Sequence, residues 1–184
     1  MKQLFFIAIY FLFCSADMQV DSVTISADEK ELAKQINAYR KEKGLVEIPI
    51  SKSLTFVAQT HCKDLFKYEK EIKQGCNAHS WSKHGKWTPV NYYPDHRNGQ
   101  GMWDKPRELT SYKGNGYEIE CDGISSPAEA LKLWKSSPAH NAVIIQSGIW
   151  KKMDWQSMGV GMYNGFAVIW FGLETDPAGY IQIK

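Results

Sequence analysis

The stretch from Met158 to Phe171 constrains this chain more than any other. Met158, Val160 and Met162 alternate with Gly159, Gly161 and Tyr163, which is the two-residue period of a strand. Asn164-Gly165 follows, a pair suited to the left-handed backbone of a tight antiparallel hairpin. Phe166 to Phe171 (FAVIWF) is then continuously apolar. A strand with no polar side is covered on both faces. A hairpin buried from two sides needs a layer above and a layer below, and helices elsewhere supply both. The expected class is therefore α/β, a three-layer α/β/α sandwich with a central, mainly antiparallel sheet.

Four helices can be placed by their start signals. Ser26-Ala27-Asp28-Glu29 fits a capping box, Leu32, Ala33, Ile36 and Tyr39 follow at helical spacing, and Gly44 ends the run. A second helix begins near Ser51, with Leu54, Val57, Ala58, His61 and Leu65 as its apolar stripe. On that stripe His61 reads as a core residue. Ser126-Pro127 and Ser137-Pro138 open a third and a fourth helix, proline being favoured at the first helical position. Residues 76–123 fit neither period and are rich in Trp, Tyr, Gly and Pro. A stretch of that length without regular structure is functional or hides short strands.

Residues 1–16 (MKQLFFIAIYFLFCSA) carry one lysine, ten apolar residues from Leu4 to Phe13, and small residues at Ser15-Ala16. The run is too short to span a bilayer and suits a signal peptide cleaved after Ala16. Residues 17–27 form a lead-in, 28–184 a single domain, and the expected location is secreted or extracytoplasmic, with no transmembrane segment in the mature chain. Cys62, Cys76 and Cys121 remain after cleavage, enough for one internal bridge and a leftover thiol. Lys plus Arg number 22 against 20 acids, a net +2, so there is no basic excess of the kind a nucleic-acid binder needs. A monomer is expected.

Two of the five histidines stand out by context. His79 lies in Cys76-Asn77-Ala78-His79-Ser80-Trp81, just after the second helix, and His140 lies in the Ser-Pro helix start that follows Trp134. Trp134, Ser137-Pro138, His140, Gly159-Val160-Gly161 and Trp170-Phe171 stand in an order that resembles the CAP superfamily (SCP domain) in its bacterial form. Cysteine-rich secretory proteins, venom allergens and pathogenesis-related proteins belong to it. Arg40, Gly44-Leu45 and His79-Ser80 extend the likeness over about residues 28–176.

The resemblance implies a cleft with two histidines and two acids. His79 and His140 take the histidine positions, and Glu118, in Gly116-Tyr117-Glu118-Ile119, resembles the first acid. The second acid is replaced by Ser137, and the stretch between His140 and Gly159 is several residues longer than the family pattern. Ser80 and Ser137 complete the candidate cleft set.

Two imidazoles and a carboxylate can bind zinc and leave a position for water, which would support hydrolysis. Asp95-His96 would add or orient a ligand. Alternatively His79, Glu118 and His140 hydrogen-bond one another and tie the segments together. Cys76 lies three residues before His79 and Cys121 three after Glu118, which favours a Cys76–Cys121 bridge if both site residues face one cleft.

The resemblance implies an extracellular protein with metal, sterol or lipid binding in several branches and no shared catalytic activity. The first expectation is thus a non-enzymatic binding module holding a divalent metal, a lipid-like molecule or an extracellular protein. The alternative is a metal-assisted peptide or ester hydrolase using the same cleft. No Gly-x-Ser-x-Gly elbow or other independent nucleophile motif is present.

Overall fold

The computed structural model describes residues 20–183. The expected signal peptide, its cleavage point and Cys14 lie outside the described residues.

Helix α1 (Ala27–Glu42) opens at the anticipated capping box. The Ser26 hydroxyl accepts from the Glu29 N–H, and the Glu29 carboxylate accepts from the Ser26 N–H. Leu32, Ala33, Ile36 and Tyr39 form its buried face. A two-residue strand, β1 (Ile50–Ser51), leads into helix α2 (Lys52–Ile72), capped by the Ser51 hydroxyl. Asp176 clamps this junction by accepting from the hydroxyls of Ser51 and Ser53 and from the Ser53 N–H.

The irregular middle contains two short helices, α3 (Gly99–Trp103) and α4 (Lys105–Leu109), and strand β2 (Gly116–Cys121). Helices α5 (Pro127–Ser136) and α6 (Pro138–Ile144) start at the two Ser-Pro steps. A single 3₁₀ turn at Gly148–Trp150 precedes the hairpin of β3 (Ser157–Tyr163) and β4 (Phe166–Gly172), and β5 (Tyr180–Ile181) closes the chain. Asn164 and Gly165 both have positive φ, 43° and 89°, as the tight turn requires.

The sheet order is β2-β4-β3-β1-β5, antiparallel except for the parallel pairing of β1 with β3. The long apolar strand is divided between two cores. Ala167, Ile169 and Phe171 pack with residues of α1, α5 and α6, while Phe166, Val168 and Trp170 pack with residues of α2. The three-layer α/β/α sandwich is thus the observed architecture.

The Gly-x-Gly strand has a steric cause. A Cβ at Gly159 would stand 2.1 Å from the Leu54 carbonyl carbon, and one at Gly161 would stand 2.5 Å from that of Ala58. The backbone of α2 lies directly on β3, which only glycine permits.

The Cys76–Cys121 bridge is not formed; Cys62, Cys76 and Cys121 are all free. The reason is the period of β2. Residues three apart on a strand point to opposite faces. Cys121 therefore packs with the α1 and α5 side, while Glu118 points the other way.

Candidate functional site

Strand β2 is an edge strand, and its alternation builds the site. Tyr117, Ile119 and Cys121 turn toward the α1 and α5 layer. Glu118 turns toward α2, where a buried carboxylate must find partners. Helix α2 offers one from its apolar stripe. His61 Nδ1 lies 2.6 Å from Glu118 Oε2, with both side chains fully buried. His79 Nδ1 lies 2.7 Å from the other oxygen, Oε1. The second nitrogen of His61 is 2.9 Å from the Ser80 carbonyl oxygen, and its ring stacks on Trp81 at 4.3 Å.

These contacts assign the protons. A carbonyl oxygen only accepts, so His61 Nε2 donates to Ser80. An ionised carboxylate only accepts, so His61 Nδ1 and His79 Nδ1 both donate to Glu118. His61 is then an imidazolium paired with a carboxylate. Burial by itself would push the His61 pKa down, but the charge and hydrogen bond of Glu118 raise it above the ordinary value. Burial would raise the Glu118 pKa, but the charge and hydrogen bond of His61, joined by His79, hold it below the usual carboxylate range.

Helix α2 also positions the segment that carries His79. One turn beyond His61, the Asp64 carboxylate accepts from the Ser82 N–H and hydroxyl at 2.9 and 2.5 Å. Trp81 and Val90 exchange backbone hydrogen bonds, and the Tyr92 N–H donates to the Ser80 hydroxyl. His61 and Asp64 thus pin the 80–82 backbone on either side of Trp81, and His79 is left facing outward with its side chain 18% exposed.

His79 and Glu118 line one end of a cleft of about 530 Å³, and His140 joins them from α6. His140 makes no hydrogen bond among the described residues; burial, then the charge of His79, lowers its pKa. The rest of the wall is largely carbon, with Met102, Trp103, Tyr117, Val143, Ile149 and Trp150 contributing. Tyr117 packs against Trp103, Trp150 and Trp155 at 5.4–6.1 Å between ring centres. The cleft runs along the free edge of β2, between loops of both helical layers.

The other expected residues fall as follows. Ser80 is buried, its hydroxyl used by the Tyr92 backbone. Ser137 lies in a shallower groove beyond His140, with Glu120 and Lys73. His96 is on the cleft rim, held by the Tyr92 hydroxyl at 2.8 Å, and Asp95 pairs with Arg97.

Two residues escaped the sequence reading. His61 was legible only as core, although a histidine on an apolar stripe always needs a polar partner. Glu120, from β2 and not from α5, supplies a second carboxyl to the groove that His140 also lines. Its Oε2 is buried with no hydrogen-bond partner among the described residues, and burial raises its pKa. The alternation Tyr117-Glu118-Ile119-Glu120-Cys121 was the available signal for this strand.

His79, His140 and Glu118 do not form a three-donor metal group in this geometry. No cluster of three His, Cys, Asp or Glu side chains suited to a metal occurs among the described residues. Each Glu118 oxygen already accepts from one imidazole.

The sequence profile of the cysteine-rich secretory protein family, CAP, matches residues 33–167. The chain belongs to the CAP family. Two solved bacterial structures share the fold. One is a cysteine-rich secretory protein from Staphylococcus aureus subsp. aureus Mu50, with 16% identity and a TM-score of 0.51 over 80% of this chain. The other is an extracellular protein containing an SCP domain from Bacillus anthracis str. Ames, with 17% identity and a TM-score of 0.56 over 83%. This chain spans 39% and 45% of the length of those two proteins. No curated protein matches the chain. Among the described residues no helix is long and apolar enough to cross a membrane.

Proposed function

We propose that this CAP protein is a secreted, non-enzymatic binding module. Its cleft takes an amphipathic small molecule of lipid-like character. The observation that carries this reading is the cleft itself. About 530 Å³ of mostly carbon-lined space also carries the imidazoles of His79, His96 and His140. Small-molecule sites share that design, an apolar body with a few polar groups that fix orientation. His79 Nδ1 is turned to Glu118, which leaves its Nε2 as the ring nitrogen available to a polar group of the ligand. Secretion is supported by the leader-like run at residues 4–13 and by the family's description as secretory.

The hydrolytic alternative asks Glu118 to serve as metal ligand or base. Each of its oxygens is held by an imidazole, which supports a positioning role instead. The Glu118–His61 pair fixes the ring of His79 and, through Ser80, the backbone beside it.

Titration with an environment-sensitive fatty-acid probe tests the reading. Saturable binding is expected, weakened about threefold to tenfold by Trp150→Ala, since an aromatic contact contributes about 0.5–1.5 kcal/mol. Absence of saturation, or equal affinity in the variant, would refute it. Zinc titration by calorimetry tests the competing occupant. A stoichiometric site lost in both His79→Ala and His140→Ala would restore the metal reading.

A further inference from the structure

The long segment between α6 and β3 is built, not merely inserted. Buried Arg40 donates from Nη1 to the Ile144 carbonyl and from Nη2 to Gln146 Oε1, both at 2.7 Å. Gln146 Nε2 donates to the Met153 carbonyl and closes the neck of the loop. Trp155 Nε1 donates to the Val143 carbonyl at 3.1 Å. Gln146 and Gly148 hold left-handed backbone, with φ of 49° and 59°. A non-glycine residue in that region persists only where its surroundings impose it.

What this loop displays is Ile149, 85% exposed and the most exposed large hydrophobic side chain among the described residues. The next, Val46 at 71%, lies on the loop after α1, and its carbonyl accepts from Nε of the same Arg40. One guanidinium therefore joins the two loops that carry the two most exposed aliphatic groups. Trp150 sits at the shoulder of the tip, half-buried on the cleft wall. Exposed Lys151 and Lys152 follow, with no ion pair among the described residues. The loop after α1 adds no net charge, since Lys43 is balanced by Glu47.

We propose that the Ile149 tip docks this protein on the surface of an anionic lipid bilayer. Side chains at a membrane–water boundary are ordered by polarity: aliphatic groups deepest, tryptophan at headgroup level, lysine ammonium groups on the phosphates. Exposed Ile149, half-buried Trp150 and exposed Lys151-Lys152 are consecutive in the chain and supply all three kinds of group. The two unpaired lysines select an anionic surface over a neutral one. Because Trp150 is shared by the tip and the cleft wall, docking brings the cleft mouth to the lipid. The inference holds whatever fills the cleft.

The test is sedimentation of the full chain with vesicles of phosphatidylcholine alone and of equimolar phosphatidylcholine and phosphatidylglycerol. Wild type binds the anionic vesicles more strongly, and high salt weakens that binding. Lys151→Gln/Lys152→Gln lowers the anionic partition about thirtyfold, since each basic side chain near such a surface contributes about fivefold. Ile149→Ser lowers it about tenfold. The N-terminal apolar run is common to every variant, so differences between variants report on the tip. Amide exchange on vesicle-bound protein slows across 148–152. Equal partition to the two vesicle types, unchanged binding of the lysine variant, or no slowing at the tip overturns the proposal. The fatty-acid probe assay in solution is unaffected by the lysine variant, so failure at the vesicle and failure of the cleft reading are told apart.

Discussion

Replacement of Glu118 is the most informative perturbation, because Ala and Gln should behave differently. At 2.6 Å the Glu118–His61 attraction is about 6 kcal/mol gross with an effective dielectric near 20. Desolvation of the two charges offsets much of it, so the net value of the pair is small. Truncation is costly all the same. Glu118→Ala leaves buried His61 without its counter-charge and both Nδ1 atoms without acceptors, a loss of about 3–5 kcal/mol. In Glu118→Gln the network can be rebuilt without charge. The amide oxygen accepts from His79, and the amide nitrogen donates to Nδ1 of a neutral His61 that still donates Nε2–H to Ser80. The expected cost is about 1–2 kcal/mol.

The two variants also differ from wild type with pH. The Glu118 pKa is lowered in the fold, so its contribution is present above the unfolded value, near 4.5, and is lost as pH falls through the folded value. The His61 pKa is raised, so its contribution is complete below the unfolded value, near 6.5, and is lost as pH rises through the folded one. The stability gap between wild type and Glu118→Gln is therefore widest between pH 4.5 and 6.5 and narrows on either side. Urea unfolding followed by tryptophan fluorescence across that range measures it. A gap that does not change with pH, or equal losses for Ala and Gln, would refute the buried ion pair.

Gly161→Ala places a Cβ 2.5 Å from the Ala58 carbonyl carbon, so α2 must move off β3; a loss of about 1–3 kcal/mol in urea unfolding is expected, and a neutral result would show that the layers are not in backbone contact. Asp176→Ala removes the acceptor of the Ser51 and Ser53 hydroxyls and of the Ser53 and Ala178 N–H groups, which lowers the midpoint by about 2–4 kcal/mol of stability; an unchanged midpoint would refute the clamp. Burial places the Cys62 thiol pKa well above its ordinary value, so Cys62 resists an exchange reagent in the native protein and reacts on unfolding without reductant, whereas prompt native labelling of Cys62 contradicts its burial.

Much of the frame was legible along the chain because its signals are local. Capping boxes, Ser-Pro helix starts, the Asn-Gly turn and the unbroken apolar strand each act within a few residues, and α1, α2, α5, α6 and the β3–β4 hairpin appear where those signals stand. The order of Trp134, Ser137-Pro138, His140 and Gly159-Val160-Gly161 was enough to point to the family whose profile matches residues 33–167.

Contacts between distant segments were decided only in three dimensions. His61 reads as one more member of an apolar stripe until β2 sets Glu118 opposite it, 57 residues on. The expected His79–Glu118 contact is present, while His140 reaches the same cleft without joining the network. The expected disulfide failed for a related reason: spacing of three was counted along a segment whose strand period had not been identified. Local sequence sets a backbone's period, but the partner of a buried charge is set by packing, because only the folded chain brings the two groups together where leaving either unpaired is costly.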